Sequence, residues 1–367
     1  MNPDSGKNIP RHRTHHLRVG VGFFAIPLFM LGVIAYFAGF HRAPPPVSRS
    51  GMGMGTFLTV TLPHSGAGRI ETAFSLATNR LETLEQMMSR YRPGSEISRL
   101  NALSGREEQA LSPETFEALE HARYFHRLSR GAFDITVGPL MAVWGFNRGR
   151  AEAKHPSQRA LADALERVGC ARLFLCDQAA FLEDEGMEAD LGGIAKGYAV
   201  DRILSDLAGL GVTNGLVNLG GNIRVLGRAS AKQPWRISVR NPFDAEKPLG
   251  ALSLESGMAL ATSGHYERFI TIDGERMAHI MDPRTGRPVR GMAGVTVLAP
   301  TAVEADALST ALFVLGPEAG AELIRRLPGR AALFVPDRQP PEAMATAGFL
   351  PRFTQNPMAL TNIVRLD

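Results

Sequence analysis

Two glycines and a lysine stand close together in the segment DLGGIAKGYAVD, residues 190–201. A glycine pair lets the backbone approach a ligand closely, and Lys196 falls at the start of a predicted helix, where the amide dipoles favour anions. The segment lacks the spacing of a P-loop and of a GxGxxG dinucleotide fingerprint. It therefore indicates either a phosphate-binding turn or, more simply, a glycine-rich turn in which Asp190 caps the helix.

A carboxylate and a hydroxyl lie four residues apart in EADALST, residues 304–310. Asp306 and Thr310 share one face of a predicted helix, because residues at i and i+4 are neighbours on the helix surface. Magnesium prefers oxygen donors of this kind, together with water and substrate phosphates. The same pair also fits a structural interpretation, in which the carboxylate favours the helix dipole and the hydroxyl bonds back to a backbone carbonyl.

A histidine precedes a turn in HIMDPRTGRP, residues 279–288. The Asp-Pro and Thr-Gly pairs in this segment are turn-forming, and His279 takes a strand-like position before them. A single histidine in such a place is either a general base or a structural residue with a satisfied hydrogen bond.

Two aromatic residues stand in polar surroundings earlier in the chain. In SRYRPGSEISRLN, residues 89–101, Tyr91 follows a predicted helix between two arginines. Its ring is either a stacking platform for an aromatic ligand or an ordinary surface tyrosine. In GAFDITVGPL, residues 131–140, Phe133 and Asp134 considered by themselves indicate the start of a strand more than a binding site.

The elements that must position these residues are mixed strands and helices. Hydrophobic spacing and capping signals predict helices over 68–90, 113–129, 196–209 and 301–315, the last ending at Gly316-Pro317. Alternating or apolar runs predict strands over 55–62, 215–219, 223–226, 235–239, 251–254, 258–262, 268–272, 293–298 and 330–336. Because no linker divides residues 54–367, we predict one α+β domain there.

A segment without charged side chains, residues 19–40, precedes this domain. Its 22 residues are long enough to cross a hydrocarbon core of about 30 Å. Four basic residues lie before it, so the positive-inside rule predicts a cytoplasmic tail over 1–18 and the rest of the chain outside. We expect an uncleaved anchor, with a cleaved signal sequence as the alternative, and a Pro-rich linker over 41–53.

Charge and cysteine content narrow the classes of function. Residues 1–50 hold six basic residues and one acidic residue, whereas the remainder holds 34 basic and 35 acidic residues. The nearly neutral remainder argues against a nucleic-acid partner. Cys170 and Cys176 are the only cysteines, and they lack the further cysteine or histidine ligands that a zinc site needs. We therefore expect either a disulfide between them or two buried free thiols.

Together and in this order, the motifs resemble those of the FAD:protein FMN transferases, the ApbE family. The resemblance runs from about Met54 to the last predicted strand. It rests on MGT (54–56), SRYRPGSEISRLN, GAFDITVGPL, DLGGIAKGYAVD, NLGGNIRVLG (218–227), TSGHYERF (262–269), HIMDPRTGRP and ADALSTALFVLG (305–316). Many members are lipoproteins, whereas this chain has no cysteine near the end of its apolar segment and a predicted helix anchor instead.

The resemblance implies a T-fold-like α+β domain over 54–367 that binds FAD with Mg²⁺. The implied reaction transfers the FMN moiety to a Thr or Ser hydroxyl of an acceptor protein and releases AMP. The implied FAD contacts are Met54, Tyr91, Ala132, Phe133, Asp134, Asp190, Lys196 and His279. The implied metal ligands are Asp306, Thr310 and the backbone carbonyl of Gly193, and His279 is the implied general base.

Acceptors in this family are typically membrane redox proteins on the outer face of the membrane. The resemblance therefore agrees with a single-pass protein of the bacterial inner membrane whose catalytic domain is periplasmic. Two other activities remain open for the same site. One is hydrolysis of FAD to FMN and AMP, and the other is non-catalytic FAD binding at the membrane.

Overall fold

The computed structural model describes residues 46–63, 67–146, 155–359 and 362–366, so the predicted tail over 1–18 and the predicted span over 19–40 lie outside the described residues. Within these ranges the chain forms seven α-helices, two short 3₁₀ helices and nineteen strands. The helices are α1 (Ala67–Met88), α2 (Glu96–Ala102), α3 (Pro113–Leu128), α4 (Gly138–Val143), α5 (Gln158–Leu165), α6 (Ala195–Gly209) and α7 (Ala302–Arg325). The strands are β1 (Val47–Gly53), β2 (Thr56–Leu62), β3 (Gln109–Ala110), β4 (Leu173–Cys176), β5 (Ala179–Leu182), β6 (Gly215–Leu219), β7 (Asn222–Leu226), β8 (Trp235–Val239), β9 (Gly250–Leu254), β10 (Ala259–Gly264), β11 (Phe269–Ile272), β12 (Glu275–Ala278), β13 (Met281–Asp282), β14 (Arg287–Pro288), β15 (Met292–Ala299), β16 (Ala331–Pro336), β17 (Ala343–Thr346), β18 (Phe353–Gln355) and β19 (Ile363–Leu366).

A nine-stranded sheet in the order β1-β2-β6-β7-β10-β15-β16-β17-β19 is the framework of the domain. Its neighbouring strands are antiparallel except for β17 and β19, which are parallel. Every residue of β15 is buried, because side chains alternate between faces and both faces of this central strand are covered. Val295 and Val297 pack into one core, and Leu298 packs into the other.

The two faces of this sheet are covered by different layers. Helices α1, α6 and α7 contribute buried residues to the main core on one face. The small antiparallel sheet β18-β9-β8 covers the other face, with Trp235, Leu252 and Leu254 in its core. The alternating apolar pattern of β2 follows from this arrangement, since its buried side chains all point toward the helices.

Helices α6 and α7 cap each other's N-termini. The Asp306 carboxylate of α7 accepts a hydrogen bond of 2.9 Å from the Gly197 backbone N–H of α6. In return, Asp201 of α6 accepts from the backbone N–H groups of Ala302 and Val303, at 2.8 and 2.9 Å. These donors belong to first turns, which have no partner inside their own helix. The two helices can meet this closely because a Cβ atom at Gly197 would lie only 2.7 Å from Asp306 Cβ and would also meet the Ala302 carbonyl.

Helix α7 confirms the predicted helix end. Its helical geometry is interrupted at Gly316, where φ is 76° and ψ is −179°, and a second helical stretch begins at Pro317. Proline suits this position because its missing N–H is not needed in a first turn. Within the described ranges, α7 alone is long and apolar enough to cross a membrane, but most of its apolar window is buried inside the domain, as in a core helix.

The linker predicted over 41–53 is wrong from Val47 onward. Residues Val47–Gly53 form β1, which pairs with β2 over its whole length. The Ser48 and Ser50 hydroxyls contact threonine hydroxyls of β2, each at 2.8 Å. A Cβ atom at Gly51 would lie 3.0 Å from the Phe74 ring of α1, so small residues let the strand lie close to the helix. The small polar residues that suggested a flexible linker are therefore packed as an edge strand.

The two cysteines are both free, so neither a disulfide nor a pair of buried thiols is present. Cys170 is buried in the main core, as one alternative required. Cys176 is exposed at the end of β4, which corrects the expectation that both thiols are buried.

Gly197→Ala should lower the free energy of unfolding by about 1–3 kcal/mol, because the added methyl group overpacks the contact between α6 and α7. Gly209→Ala is the matched control, since Gly209 lies in the same helix with no neighbour within 4 Å of a Cβ atom. We expect the control to be neutral or stabilising by up to about 1 kcal/mol. Urea unfolding followed by circular dichroism measures both variants, and an equal effect in the two would contradict this packing.

Candidate active site

A buried carboxylate, Asp306, lies at the centre of the candidate site. Its side chain is 6% exposed, and its Oδ1 atom lies 3.7 Å from the Lys196 Nζ atom. Burial raises the pKa of Asp306, whereas Lys196 and the Gly197 N–H act in the opposite direction. Lys196 also donates a hydrogen bond of 2.8 Å to the Gly192 carbonyl at the start of α6. The structure thus confirms that Lys196 stands at a helix start and places it beside Asp306.

The other two predicted metal ligands lie next to each other. A Cβ atom at Gly193 would be 3.3 Å from Thr310 Oγ1 and 3.2 Å from the ring of Phe133. Thr310 lies one turn after Asp306 on α7, as predicted from the spacing of the two residues. Ala132, which precedes Phe133, is buried in the main core. The glycine turn, α7 and the segment around Phe133 therefore meet at one place.

A residue that we did not predict, Asn222, also faces this place. Its Oδ1 atom is buried and has no hydrogen-bond partner within the described part of the chain. The Asn222 side chain interacts with the Asp306 carboxylate and lowers its pKa. Gly220 and Gly221, both at positive φ, form the turn that delivers Asn222 from β6 into β7. An asparagine after two glycines in NLGGNIRVLG was the available signal in the sequence.

Asp190 holds the glycine turn in shape and does not cap α6. Its Oδ1 atom accepts a hydrogen bond of 2.8 Å from the Gly192 N–H, and its Oδ2 atom lies 3.2 Å from Arg90 Nη1. The Arg90 side chain is 8% exposed and also contacts Glu188 at 2.5 Å. Because Asp306 supplies the cap at Gly197, the interpretation of Asp190 as a helix cap is wrong.

His279 follows β12 and presents one nitrogen as a proton acceptor. Its Nδ1 atom lies 3.0 Å from the Arg268 carbonyl oxygen, and a carbonyl only accepts, so Nδ1 carries the proton and Nε2 is unprotonated. Burial lowers the pKa of His279 to about 4, although the hydrogen bond to Arg268 opposes this effect. The charges of Lys196 and Arg268 also lower this pKa. The imidazole is therefore neutral at physiological pH.

Arg268, a second residue that we did not predict, joins three predicted ones. Besides its carbonyl contact with His279, its side chain lies close enough to Tyr91 to oppose the rise that burial causes in the Tyr91 pKa. A Cβ atom at Gly55 would lie 3.1 Å from Arg268 Nη2, which places Arg268 against the turn between β1 and β2. Met54 occupies this turn at a φ of 47°, and the Tyr91 ring is 58% exposed. Arg268 thus lies beside His279, Tyr91 and the turn that contains Met54.

The side chain of Asp134 is directed into the chain. Its Oδ1 atom accepts from the Thr136 N–H at 2.7 Å, and its Oδ2 atom accepts from the Cys170 N–H at 2.9 Å. The His126 Nδ1 atom lies 3.2 Å from Oδ2, and the hydrogen bond with Asp134 raises the pKa of His126. His126, Asp134 and Cys170 have metal-binding atom types close together, but the chain's own groups already occupy this carboxylate. Any ligand contact at Asp134 would therefore use its main-chain atoms.

The site and fold agree with one protein family. The model of the ApbE family matches residues 54–334, and the chain belongs to this family. The chain is 31% identical over 310 residues to the FAD:protein FMN transferase of Escherichia coli K12, covering 81% of this chain and 88% of that protein. It is 34% identical over 324 residues to the corresponding protein of Treponema pallidum, covering 83% of this chain and 88% of the relative. These matches confirm the family that the motifs predicted.

Solved structures show the same α+β fold. The flavin transferase ApbE from Vibrio cholerae aligns with a TM-score of 0.75 and 31% identity, covering 84% of this chain and 99% of that one. The apo form of the flavinyl transferase ApbE from Pseudomonas stutzeri aligns with a TM-score of 0.75 and 33% identity, covering 85% and 98%. The α+β architecture that we predicted is therefore confirmed.

His279 should titrate with a pKa near 4, well below the ordinary value of about 6.5, because burial disfavours the imidazolium form. Between these two pH values the unfolded chain binds the proton and the folded chain does not. The contribution of His279 to the free energy of unfolding should therefore decrease as pH falls from about 6.5 to 4.

NMR titration of histidine-labelled protein measures this pKa, and His279→Gln identifies the resonance by its loss. His126 is the internal contrast, because its hydrogen bond with Asp134 raises its pKa. A His279 resonance that titrates near 6.5 would contradict the neutral imidazole.

Proposed function

We propose that this chain transfers the FMN moiety of FAD to a Thr or Ser hydroxyl of an acceptor protein and releases AMP. The observation that carries the proposal is the buried Asp306 carboxylate beside the Lys196 ammonium at the start of α6, with the neutral His279 imidazole near enough for the charge of Lys196 to lower its pKa. This set combines a cation-binding group, an anion-binding group and a proton acceptor. The Escherichia coli and Treponema pallidum relatives are named FAD:protein FMN transferases, a name that gives FAD as the donor, FMN as the transferred group and a protein as the acceptor.

The donor atoms around Asp306 fit a hard divalent cation such as Mg²⁺. The proposed ligands are the Asp306 carboxylate, the Thr310 hydroxyl and the Gly193 carbonyl, all of them oxygens. The orphaned Oδ1 atom of Asn222 supports this assignment, because a buried oxygen without a hydrogen-bond donor is suited to a cation. When bound, the cation would neutralise negative charge on the FAD pyrophosphate and on the leaving phosphate of AMP.

Lys196 and the first turn of α6 are proposed to bind the pyrophosphate. The ammonium group is half-buried and already donates to the Gly192 carbonyl at 2.8 Å, which fixes its direction. The start of α6 adds the favourable end of a helix dipole, which attracts phosphate oxygens. Asp190 keeps the preceding turn in place through Gly192. These residues bind and orient the phosphates without reacting themselves.

His279 is proposed to take the proton of the acceptor hydroxyl. The hydroxyl oxygen forms a bond with the FMN phosphorus, and the bond from this phosphorus to the bridging oxygen breaks. AMP leaves with the electron pair of that bond, and the hydroxyl proton moves to Nε2 of His279. The hydrogen bond from Nδ1 to the Arg268 carbonyl keeps Nε2 available, and the low pKa keeps it unprotonated at neutral pH.

The flavin contacts are proposed on both sides of Arg268. Tyr91 offers a largely exposed ring for stacking, and Met54 lies in the adjacent turn between β1 and β2. Phe133 lies against the Gly193 turn on the metal side. Ala132 and Asp134 would contribute through their main chain, because one is buried and the carboxylate of the other is occupied.

We further propose that residues 19–40 anchor the chain in the inner membrane and that the acceptor is a membrane-associated redox protein on the periplasmic side. The support is the uncharged 22-residue segment and the basic residues that precede it. An alkaline phosphatase reporter fused after Asp367 should be active in intact cells, because this enzyme folds only outside the cytoplasm. Reporter activity limited to a cytoplasmic β-galactosidase fusion would contradict this topology.

Three substitutions should separate the metal ligands from the base. Asp306→Asn removes the only charged ligand at constant size, so transfer should be lost and high Mg²⁺ should restore little of it. Thr310→Val removes one neutral oxygen, so transfer should weaken less and recover at high Mg²⁺. His279→Ala should slow transfer by about 10²–10⁴-fold at every Mg²⁺ concentration while FAD still binds.

AMP release and protein-bound flavin, measured on the same samples with a co-expressed acceptor, test these expectations. AMP without protein-bound flavin in the native protein would indicate FAD hydrolysis, and retained FAD without AMP would indicate a carrier. Normal transfer by Asp306→Asn at low Mg²⁺ would show that Asp306 has only its structural role as the cap of α6.

A further inference from the structure

A cavity of about 460 Å³ opens at the C-terminal end of α3. Its wall includes Arg123, His126, Arg127, Arg130, Gly131 and Cys170. A cavity of this volume is in the range of sites that take small molecules. It involves none of the residues assigned above to the metal, the phosphates or the base.

Three guanidinium groups in this wall have no acidic partner in the part of the chain that the structure describes. Within the described residues, Arg123, Arg127 and Arg130 make no hydrogen bond and no ion pair through their side chains. Other arginines of the domain are paired, as in the contacts of Arg90 with Asp190 and of Arg330 with Glu304. Three neighbouring positive charges repel one another, so this arrangement favours an anion.

The position of these arginines at a helix end does not account for their clustering. The carbonyl oxygens of residues 125–127 already accept hydrogen bonds from the backbone N–H groups of residues 129–131. The guanidinium groups are therefore not needed as caps for α3. Arg130 and Gly131 both have positive φ, 54° and 84°, and the chain reverses there so that Arg130 lines the same cavity as the two helical arginines.

The charges of Arg123 and Arg127 act on Cys170, which also lines the cavity. Burial raises the pKa of the Cys170 thiol, and these two guanidinium groups act in the opposite direction. Behind the wall, His126 Nδ1 lies 3.1 Å from the Phe133 carbonyl oxygen, while the Phe133 ring faces Gly193. The segment 131–134 thus separates the cavity from the site at α6 and α7.

We propose that this cavity is a second anion site, which binds a compact phosphate-bearing group through Arg123, Arg127 and Arg130. Arginine suits phosphate because its planar fork of N–H donors matches two phosphate oxygens at once. Three such forks around one cavity provide charge for a doubly negative group. The source of the group is either a soluble phosphate ester or the headgroup of an anionic lipid, which share this chemistry.

Calorimetric titration of inorganic phosphate into the full chain in neutral detergent tests the proposal, with chloride at equal ionic strength as the reference. We expect saturable binding that weakens roughly tenfold in Arg127→Gln and in Arg130→Gln, since each removes a charged hydrogen-bond donor. Arg159→Gln is the matched control, because Arg159 is 92% exposed on α5 outside the cavity. No saturable binding, or equal affinity in the cavity variants and the control, would overturn the proposal.

Two further experiments distinguish this cavity from the site at α6 and α7 and identify the source of the phosphate-bearing group. Lys196→Gln removes the ammonium group that we assign to the pyrophosphate, and it should leave the phosphate affinity of the cavity unchanged. Loss of phosphate binding in this variant would show that phosphate binds at the site of α6 and α7, and would overturn the proposal. Mixed micelles with phosphatidylglycerol, compared with phosphatidylcholine, test the lipid source. If phosphatidylglycerol competes with phosphate in the native protein and not in Arg127→Gln, the result supports a lipid headgroup as the source. If phosphatidylglycerol does not compete with phosphate, the result supports a soluble phosphate ester.

Discussion

The site depends on one contact, the reciprocal capping of α6 and α7. Asp306 caps the start of α6, and Asp201 caps the start of α7, so each helix fixes the orientation of the other. The same Asp306 carboxylate keeps its Oδ1 atom toward Lys196. One oxygen of this carboxylate accepts the structural hydrogen bond and the other faces Lys196, so the group is held in a defined direction, as a metal ligand requires.

Burial acts on both key ionisable groups of this site in the direction of the neutral form. It raises the pKa of Asp306 and lowers the pKa of His279. For Asp306 the penalty is reduced by Lys196, whose positive charge in turn helps to keep His279 neutral. One ammonium group therefore stabilises a carboxylate and an unprotonated imidazole together, and a proton acceptor can coexist with an anion-binding group in one place.

The sequence predicted best what depends on local spacing. The helix over 113–129 was found from its serine cap, and the structure shows the Ser112 hydroxyl accepting from the Thr115 N–H at 3.3 Å. The pair Asp306 and Thr310 followed from the four-residue period. The strand β1 was missed because its serines and glycines are also typical of a linker, and only packing against α1 distinguishes the two cases.

Residues whose role comes from distant partners were not predictable in this way. Arg268 holds His279 through its main-chain carbonyl, an atom that every residue type possesses. The cap of α6 comes from Asp306, 109 residues further along the chain, whereas local spacing suggested Asp190. The long distances along the chain between these contacting residues also determine the order in which the protein folds. Contacts between residues far apart in sequence form slowly, and they form only after the intervening chain is available. During synthesis the start of α6 therefore waits for α7, and the candidate site is complete only when most of the chain has folded.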